Sequence, residues 1–368
     1  MSILYDEGQS AIGVESRRVL DARTGTGDGR ARLLGLLEQT GACDQPFWDT
    51  VVEQGWTGIG IAEDHDGLGL GLIELGLVAQ ACGAGTAGAP FLTSGYGVAS
   101  ALQGGSNTDA AALWLPKLAA GEVTGAIAFA EGSAPLPPQP TAQFAGGKLA
   151  GAKDGVAGGL TADLALVWAS ADGESVLVLA ELAGATRNVV DSFDNSRLYA
   201  DLAFAGTPAV MIAQGSAARA LAMDVMARVA VVTAHEQTGG AEALMLSARD
   251  YSLTRKAFGQ PIGAFQSVKH RIAELYGLVE IARANCIHAA SLEGKPGFVT
   301  AAAAARISAT EAYDTAARDC VQVHGGIGVT WEAGLHLHMR RARALAIEAG
   351  NLFFWEDILV GELQGAAA

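Results

Sequence analysis

From Ser216 onward the sequence carries helical periodicity almost without interruption, and this constrains the fold more than any other feature. Apolar residues recur at helix spacing over 216–254, 262–292, 298–324 and 332–364. Segments of that length, rich in alanine and poor in proline, predict a helical bundle. The N-terminal part reads as helical too, with periodic stretches at Ala31 to Glu38, Phe47 to Gly55 and Leu72 to Ala84. Between the two, from Gly121, the texture changes. Ala126 to Ala130, Leu164 to Trp168, Ser175 to Ala180 and Ala200 to Phe204 are short apolar runs broken by Gly, Pro and Asp, which predicts an antiparallel β unit. The loop Pro135 to Pro140 suits neither helix nor strand. The expectation is an α+β chain: an all-α domain over 1–120, a β-domain over 121–212 and a four-helix bundle over 213–368.

Composition narrows the function. Of the 368 residues, 50% are apolar, enough for a large core. A net charge of −15 argues against nucleic acid, and no basic stripe with interleaved aromatics is present. An anionic ligand would need a local basic patch. No run has the length and flanks of a membrane span, and the first residues lack a signal-peptide layout. The four cysteines, Cys43, Cys82, Cys286 and Cys320, show no metal spacing. Reduced core thiols and a cytoplasmic location are expected.

Two stretches carry the chemistry. Arg255-Lys-Ala-Phe-Gly-Gln-Pro-Ile-Gly-Ala-Phe-Gln266 offers a cation, an aromatic ring and an amide close together. That mix suits an adenine dinucleotide, with guanidinium to pyrophosphate and amide to base or ribose. In Gln322-Val-His-Gly-Gly-Ile-Gly328 the glycines lack Cβ, so main-chain N–H groups can reach phosphate or ribose. Neither stretch is a Rossmann fingerprint, because no strand precedes it and the Gly-x-Gly-x-x-Gly order is absent. The candidate cofactor-binding residues are Arg255, Phe258, Gln266, Gln322, His324, Gly325 and Gly326. The bland alternatives are a surface ion pair for Arg255, core packing for Phe258 and His324, and a bare helix cap for the glycines. His336, His338, Arg340 and Arg341 form a local cationic cluster, read as a solvated helix face. Lys269-His270-Arg271 reads the same way.

These stretches resemble the acyl-CoA dehydrogenase family of flavoproteins. The first matches the family's Arg-x-x-Phe-Gly-x-Pro-Ile-x-x-Phe-Gln segment and the second its Gln-x-His-Gly-Gly-x-Gly. Gly55-Trp-Thr-Gly-Ile-Gly-Ile-Ala-Glu-Asp-His-Asp-Gly-Leu-Gly69 looks like an early family loop, and Gly146 to Lys153 like a β-domain strand. The resemblance implies FAD as cofactor, an acyl-CoA substrate, α,β-dehydrogenation of the thioester, and electron-transfer flavoprotein as acceptor.

It also exposes gaps. The family's usual catalytic Glu position falls on Ala349, in Ile347-Glu-Ala-Gly-Asn351, and the seat used by a second subset falls on Val229. Glu348 lies one residue off and is the candidate for a displaced base; a one-residue slip swings a helical side chain by about 100°. The segments that hold the flavin ring in the family read Ala130-Glu-Gly-Ser-Ala-Pro-Leu-Pro137 and Gly155-Val-Ala-Gly-Gly159 here, without the family's tryptophan and hydroxyl. Only Glu131 and Ser133 carry over. In the family one subunit holds the flavin ring and its neighbour holds the adenine half. The chain therefore resembles the base-lacking subunit of heteromeric α2β2 enzymes of steroid side-chain degradation, with a second acyl-CoA dehydrogenase subunit as partner. The alternatives are a homotetramer using Glu348 and a non-catalytic scaffold.

Overall fold

The computed structural model describes residues 5–24, 27–87 and 91–367. Six helices lead: α1 (Glu7–Thr24), α2 (Gly27–Glu38), α3 (Gln45–Glu53), α4 (Leu72–Ala84), α5 (Phe91–Gly104) and α6 (Thr108–Ala119). Seven strands follow: β1 (Gly125–Ala128), β2 (Gln143–Ala145), β3 (Lys148–Val156), β4 (Leu164–Ala171), β5 (Glu174–Glu181), β6 (Thr186–Val189) and β7 (Ala200–Gln214). Then come α7 (Gly215–Thr254), a small hairpin of β8 (Lys256–Ala257) and β9 (Gln260–Pro261), α8 (Gln266–Ser291), α9 (Phe298–His324), α10 (Leu335–Ile347) and α11 (Leu352–Ala367).

Two compact units result. One is built from Gly35–Leu75 and Gly88–Val229, the other from Met1–Leu34, Gly76–Ala87 and Ala230–Ala368. In the first, local chemistry sets the helix ends. Asp44 caps α3 by accepting from the Phe47 N–H at 3.1 Å, and Asn107 caps α6 by accepting from Ala110 at 2.9 Å. Gly121, at φ 70°, turns the chain out of α6.

The sheet closes on itself through β4, β5, β7, β3 and β2, with β1 added on β4 and β6 on β7. Its interior is apolar: Ala165, Val167, Ala169, Val176, Val178, Leu202 and Phe204 share one buried cluster. The opposite face of β4 is buried as well, Trp168 included, whose indole N–H donates to the Pro137 carbonyl at 2.9 Å. The sheet is not wholly antiparallel as expected: β1 and β2 both run parallel to β4. β1 and β4 are buried on both faces and read as plain apolar runs, and β2 is only three residues long, so none of the three patterns carries a pairing direction.

In the second unit, one turn of α7 places four consecutive polar side chains in the core. His235, Glu236, Gln237 and Thr238 are each 1% exposed or less. Each turns to a different neighbour. The Gln80 amide meets His235 Nδ1 at 2.9 Å, Arg341 donates to Glu236 at 2.6 Å, Arg306 donates to the Gln237 oxygen at 2.5 Å, and the Thr238 hydroxyl lies 3.5 Å from Cys286 Sγ. Gly239 follows because nothing larger fits: a Cβ there would lie 2.0 Å from the Gln80 carbonyl oxygen.

Two expectations change here. The stretch 332–364 is not one helix but two, because the chain turns a corner at Glu348 to Asn351. Ala349 adopts φ 54° and Gly350 φ 103°, and the Asn351 side chain accepts from the Phe354 N–H at 3.0 Å to start α11. The cationic cluster on α10 is not a solvated face either. Arg341 is 1% exposed, and His338 pairs with the Tyr313 hydroxyl at 2.9 Å.

Candidate functional site

Main-chain geometry builds the first stretch. The Ala257-to-Gln260 hairpin turns through Phe258 at φ 52° and Gly259 at φ 82°, the two left-handed residues of a two-residue loop. A left-handed phenylalanine is strained by about 1 kcal/mol or more. Its side chain is 95% exposed, touching only the edge of Phe265 at 6.2 Å among its ring contacts. Arg255 and Gln266 flank the hairpin and are both exposed. The Arg255 main chain is fixed by Tyr251 O and Ile262 N–H, each at 2.8 Å, so the guanidinium projects from a rigid base.

The second stretch ends α9. Gly325, at φ 64° and ψ −141°, stops the helix. A Cβ built on Gly325 or Gly326 would meet no atom within 4 Å, so this backbone faces open space. Gln322 is exposed one turn earlier. His324 is half-buried, its ring stacked on Tyr251 at 4.2 Å and its Nδ1 2.8 Å from the Cys320 carbonyl. That stack joins the end of α9 to the last turn of α7 and brings the two stretches side by side. Arg255, Phe258, Gln322, Gly325 and Gly326 are all exposed and belong to one unit, with half-buried His324 packed on Tyr251 between the two stretches.

The β-domain segments differ in kind. Glu131 is occupied: it accepts from Lys153 Nζ at 2.6 Å and from the Thr141 and Ala142 main chain. Burial works to raise its pKa, but Lys153 and those N–H groups outweigh it and hold the carboxyl below the usual range. Lys153, fully buried, is lowered by desolvation in spite of the pair. Glu131 therefore ties the loop down and is not a free hydrogen-bonding group. Ser133 lies exposed at a turn, and Gly155 presents no side chain.

Neither base seat holds an acid. Val229 is 2% exposed, packed close to Gly97 in the first unit. Ala349 sits at the left-handed corner. That corner is gripped by Arg306, which is 1% exposed and donates to the carbonyls of Leu345, Glu348 at 3.1 Å and Gly350 at 3.4 Å. Glu348 is 7% exposed and closes α10 through its N–H to Ala344 at 3.1 Å. Sequence reading missed Arg306; the signal available was one cation inside the Ala301-to-Ala305 and Ala309 run. Among the described residues, no cluster of three or more His, Cys, Asp or Glu could hold a metal, and no helix is long and apolar enough to cross a membrane.

Residues 32–122 match the acyl-CoA dehydrogenase N-terminal domain and residues 209–352 the acyl-CoA dehydrogenase C-terminal domain. The chain belongs to the acyl-CoA dehydrogenase family. The second match contains both stretches of the site. FAD is the family's cofactor. Among curated relatives, acyl-CoA dehydrogenase IpdE2 of Mycobacterium tuberculosis is 42% identical over 120 residues, which is 32% of this chain and 36% of that protein. The chain therefore aligns with about a third of that relative's length. Two solved structures share the fold over nearly the whole chain. The ChsE4–ChsE5 complex of Mycobacterium tuberculosis superposes with a TM-score of 0.88 at 23% identity, covering 99% of each chain. The Tcur3481–Tcur3483 steroid ACAD gives 0.86 at 22% identity, covering 98% of this chain and 99% of that one.

Proposed function

We propose that this chain is the base-lacking subunit of an FAD-dependent acyl-CoA dehydrogenase, holding the adenine half of a FAD whose ring a partner subunit holds. The observation that carries the reading is the contrast between the two halves of the site. Arg255, Phe258 and Gln322 are exposed in the same unit, and the backbone at Gly325 and Gly326 faces open space. Meanwhile both base seats are apolar, and Glu131 is committed to Lys153.

When bound, FAD supplies the hydride acceptor for α,β-dehydrogenation of an acyl-CoA thioester. Arg255 would pair with the pyrophosphate, Phe258 would pack on an apolar edge of the cofactor, and Gln266 and Gln322 would hydrogen-bond ribose or base. The glycine N–H groups would take a phosphate or ribose oxygen. The α-proton would go to a carboxylate of the partner, since Val229 and Ala349, at the two base seats, cannot accept one. Exposed Phe258, Val329 and Phe353, at 95%, 78% and 73%, are the kind of apolar surface a partner covers. The pairing in the ChsE4–ChsE5 and Tcur3481–Tcur3483 structures supports an unlike partner, and the latter's steroid description supports a steroid side-chain CoA ester as substrate.

The test is to purify the chain alone and measure bound flavin and acyl-CoA dehydrogenation with an artificial electron acceptor. Substoichiometric flavin and no turnover are expected. One flavin per chain with full turnover would overturn the reading and return the base to this chain.

A further inference from the structure

The unit that contains the sheet also holds a cavity of about 350 Å³, lying against α3, α5 and the loops that open β1 and β4. That is within the usual range for small-molecule sites, roughly 300–1,000 Å³. Its wall is aromatic, with Phe47 and Trp48 from α3, Trp56 just after it and Tyr96 from α5. Tyr96 is held in place from behind: its hydroxyl lies 3.2 Å from Arg228, which Asp224 holds at 2.6 Å.

One glycine on the cavity wall borders open space, unlike the others nearby. A Cβ on Gly60 would strike the Tyr96 ring at 2.2 Å, and one on Gly97 would strike Ile127 at 2.2 Å. Those two are small because their space is filled. Gly95, also on α5 and lining the cavity, is different: a Cβ there would meet nothing within 4 Å. Glycine within a helix costs about 1 kcal/mol relative to alanine. Packing does not demand it at 95, and any larger side chain would enter the cavity.

The charge is one-sided. Asp44, Glu122 and Asp163 line the space, and no lysine or arginine is among the described lining residues. Asp163 already accepts from the Thr124 N–H at 2.7 Å, and Asp44 from the Phe47 N–H, but a carboxylate has sites for further donors. Aromatic walls accept a flat ring, and the carboxylates accept a hydroxyl donor while repelling an anion.

We propose that this cavity binds an uncharged, ring-containing hydrophobe that carries a hydroxyl group. The proposal does not rest on the flavin reading, because the cavity and the adenine-side surface belong to different units. One chemistry could come from two sources, the ring end of a CoA thioester or a free hydroxylated hydrophobe.

The experiment is calorimetric titration of the full chain with 2-naphthol and with naphthalene-2-carboxylate, which share a ring and differ in charge. No flavin or turnover is needed. The wild type should bind 2-naphthol, and the carboxylate about tenfold or more weaker. Gly95→Leu, which fills the cavity, should weaken 2-naphthol by about tenfold or more while its melting curve stays cooperative. Trp48→Ala removes a wall instead and should weaken it too, which covers the case in which the leucine variant fails to fold. Absence of 2-naphthol binding, equal binding of the carboxylate, or unchanged binding in a folded Gly95→Leu protein would each overturn the proposal. Titration with 2-naphthylacetyl-CoA separates the sources. Loss of its binding in Gly95→Leu assigns the cavity to a substrate ring, and unchanged thioester binding alongside lost naphthol binding assigns it to a free ligand.

Discussion

Arg341 and Glu236 meet at 2.6 Å with 1% and 2% of their side chains exposed. Removing one member leaves the other as a buried charge, so Arg341→Met should cost about 3–5 kcal/mol in urea denaturation. The double variant Arg341→Met with Glu236→Leu should recover most of that loss. Recovery should be incomplete, because Arg341 also donates to the Thr86 and Ala87 carbonyls at 3.1 Å each. These residues were illegible in the sequence. Arg341 stands beside another arginine and near two histidines, a composition that reads as surface, and its acid partner lies 105 positions away in the chain. Arg255, Phe258 and Gln322 stand out in the sequence because a motif marks them, and the structure leaves all three exposed. The left-handed φ of Phe258 does not, since nothing about a phenylalanine announces it.

Helix α7 runs 40 residues through both kinds of packing. Its glycines are not equivalent to those of α8. Gly239→Ala places a methyl against the Gln80 main chain and should destabilise by about 1–3 kcal/mol or more. Gly277→Ala, where a Cβ meets nothing within 4 Å, should stabilise by about 1 kcal/mol through helix propensity alone. Thermal melts of the two variants should move in opposite directions. Periodicity alone located the helices at 72–84 and 298–324 to the residue. It failed at 332–364 because alanine at 349 continues an apolar pattern while its backbone leaves the helix. The parallel pairing of β1 with β4 was equally hidden, as both strands are buried on either side.

At the scale of the molecule, buried histidines set an acid limit. His235 is pushed down to about 4 by burial, and His338 to about 3 by burial and by Arg341 and Arg30. Both begin from an ordinary value of 6.5. The unfolded chain therefore takes up protons that the folded chain refuses, so their contribution is complete above about pH 6.5 and is lost as pH falls toward 4. Glu131, held below its ordinary value, adds a loss in the same direction at the acid end. Melting temperature should drop between pH 6.5 and 4, and His235→Gln should make that slope shallower. A flat profile in the wild type would contradict the burial of these rings. The Arg306 corner has a different kind of consequence. Its guanidinium holds carbonyl oxygens, which every residue possesses, and is indifferent to the side chain at 349. Two of the four alanine codons, GCA and GCG, lie one base from a glutamate codon. From either of those codons a single base change would place a glutamate at this corner while leaving the three carbonyl contacts of Arg306 as they are.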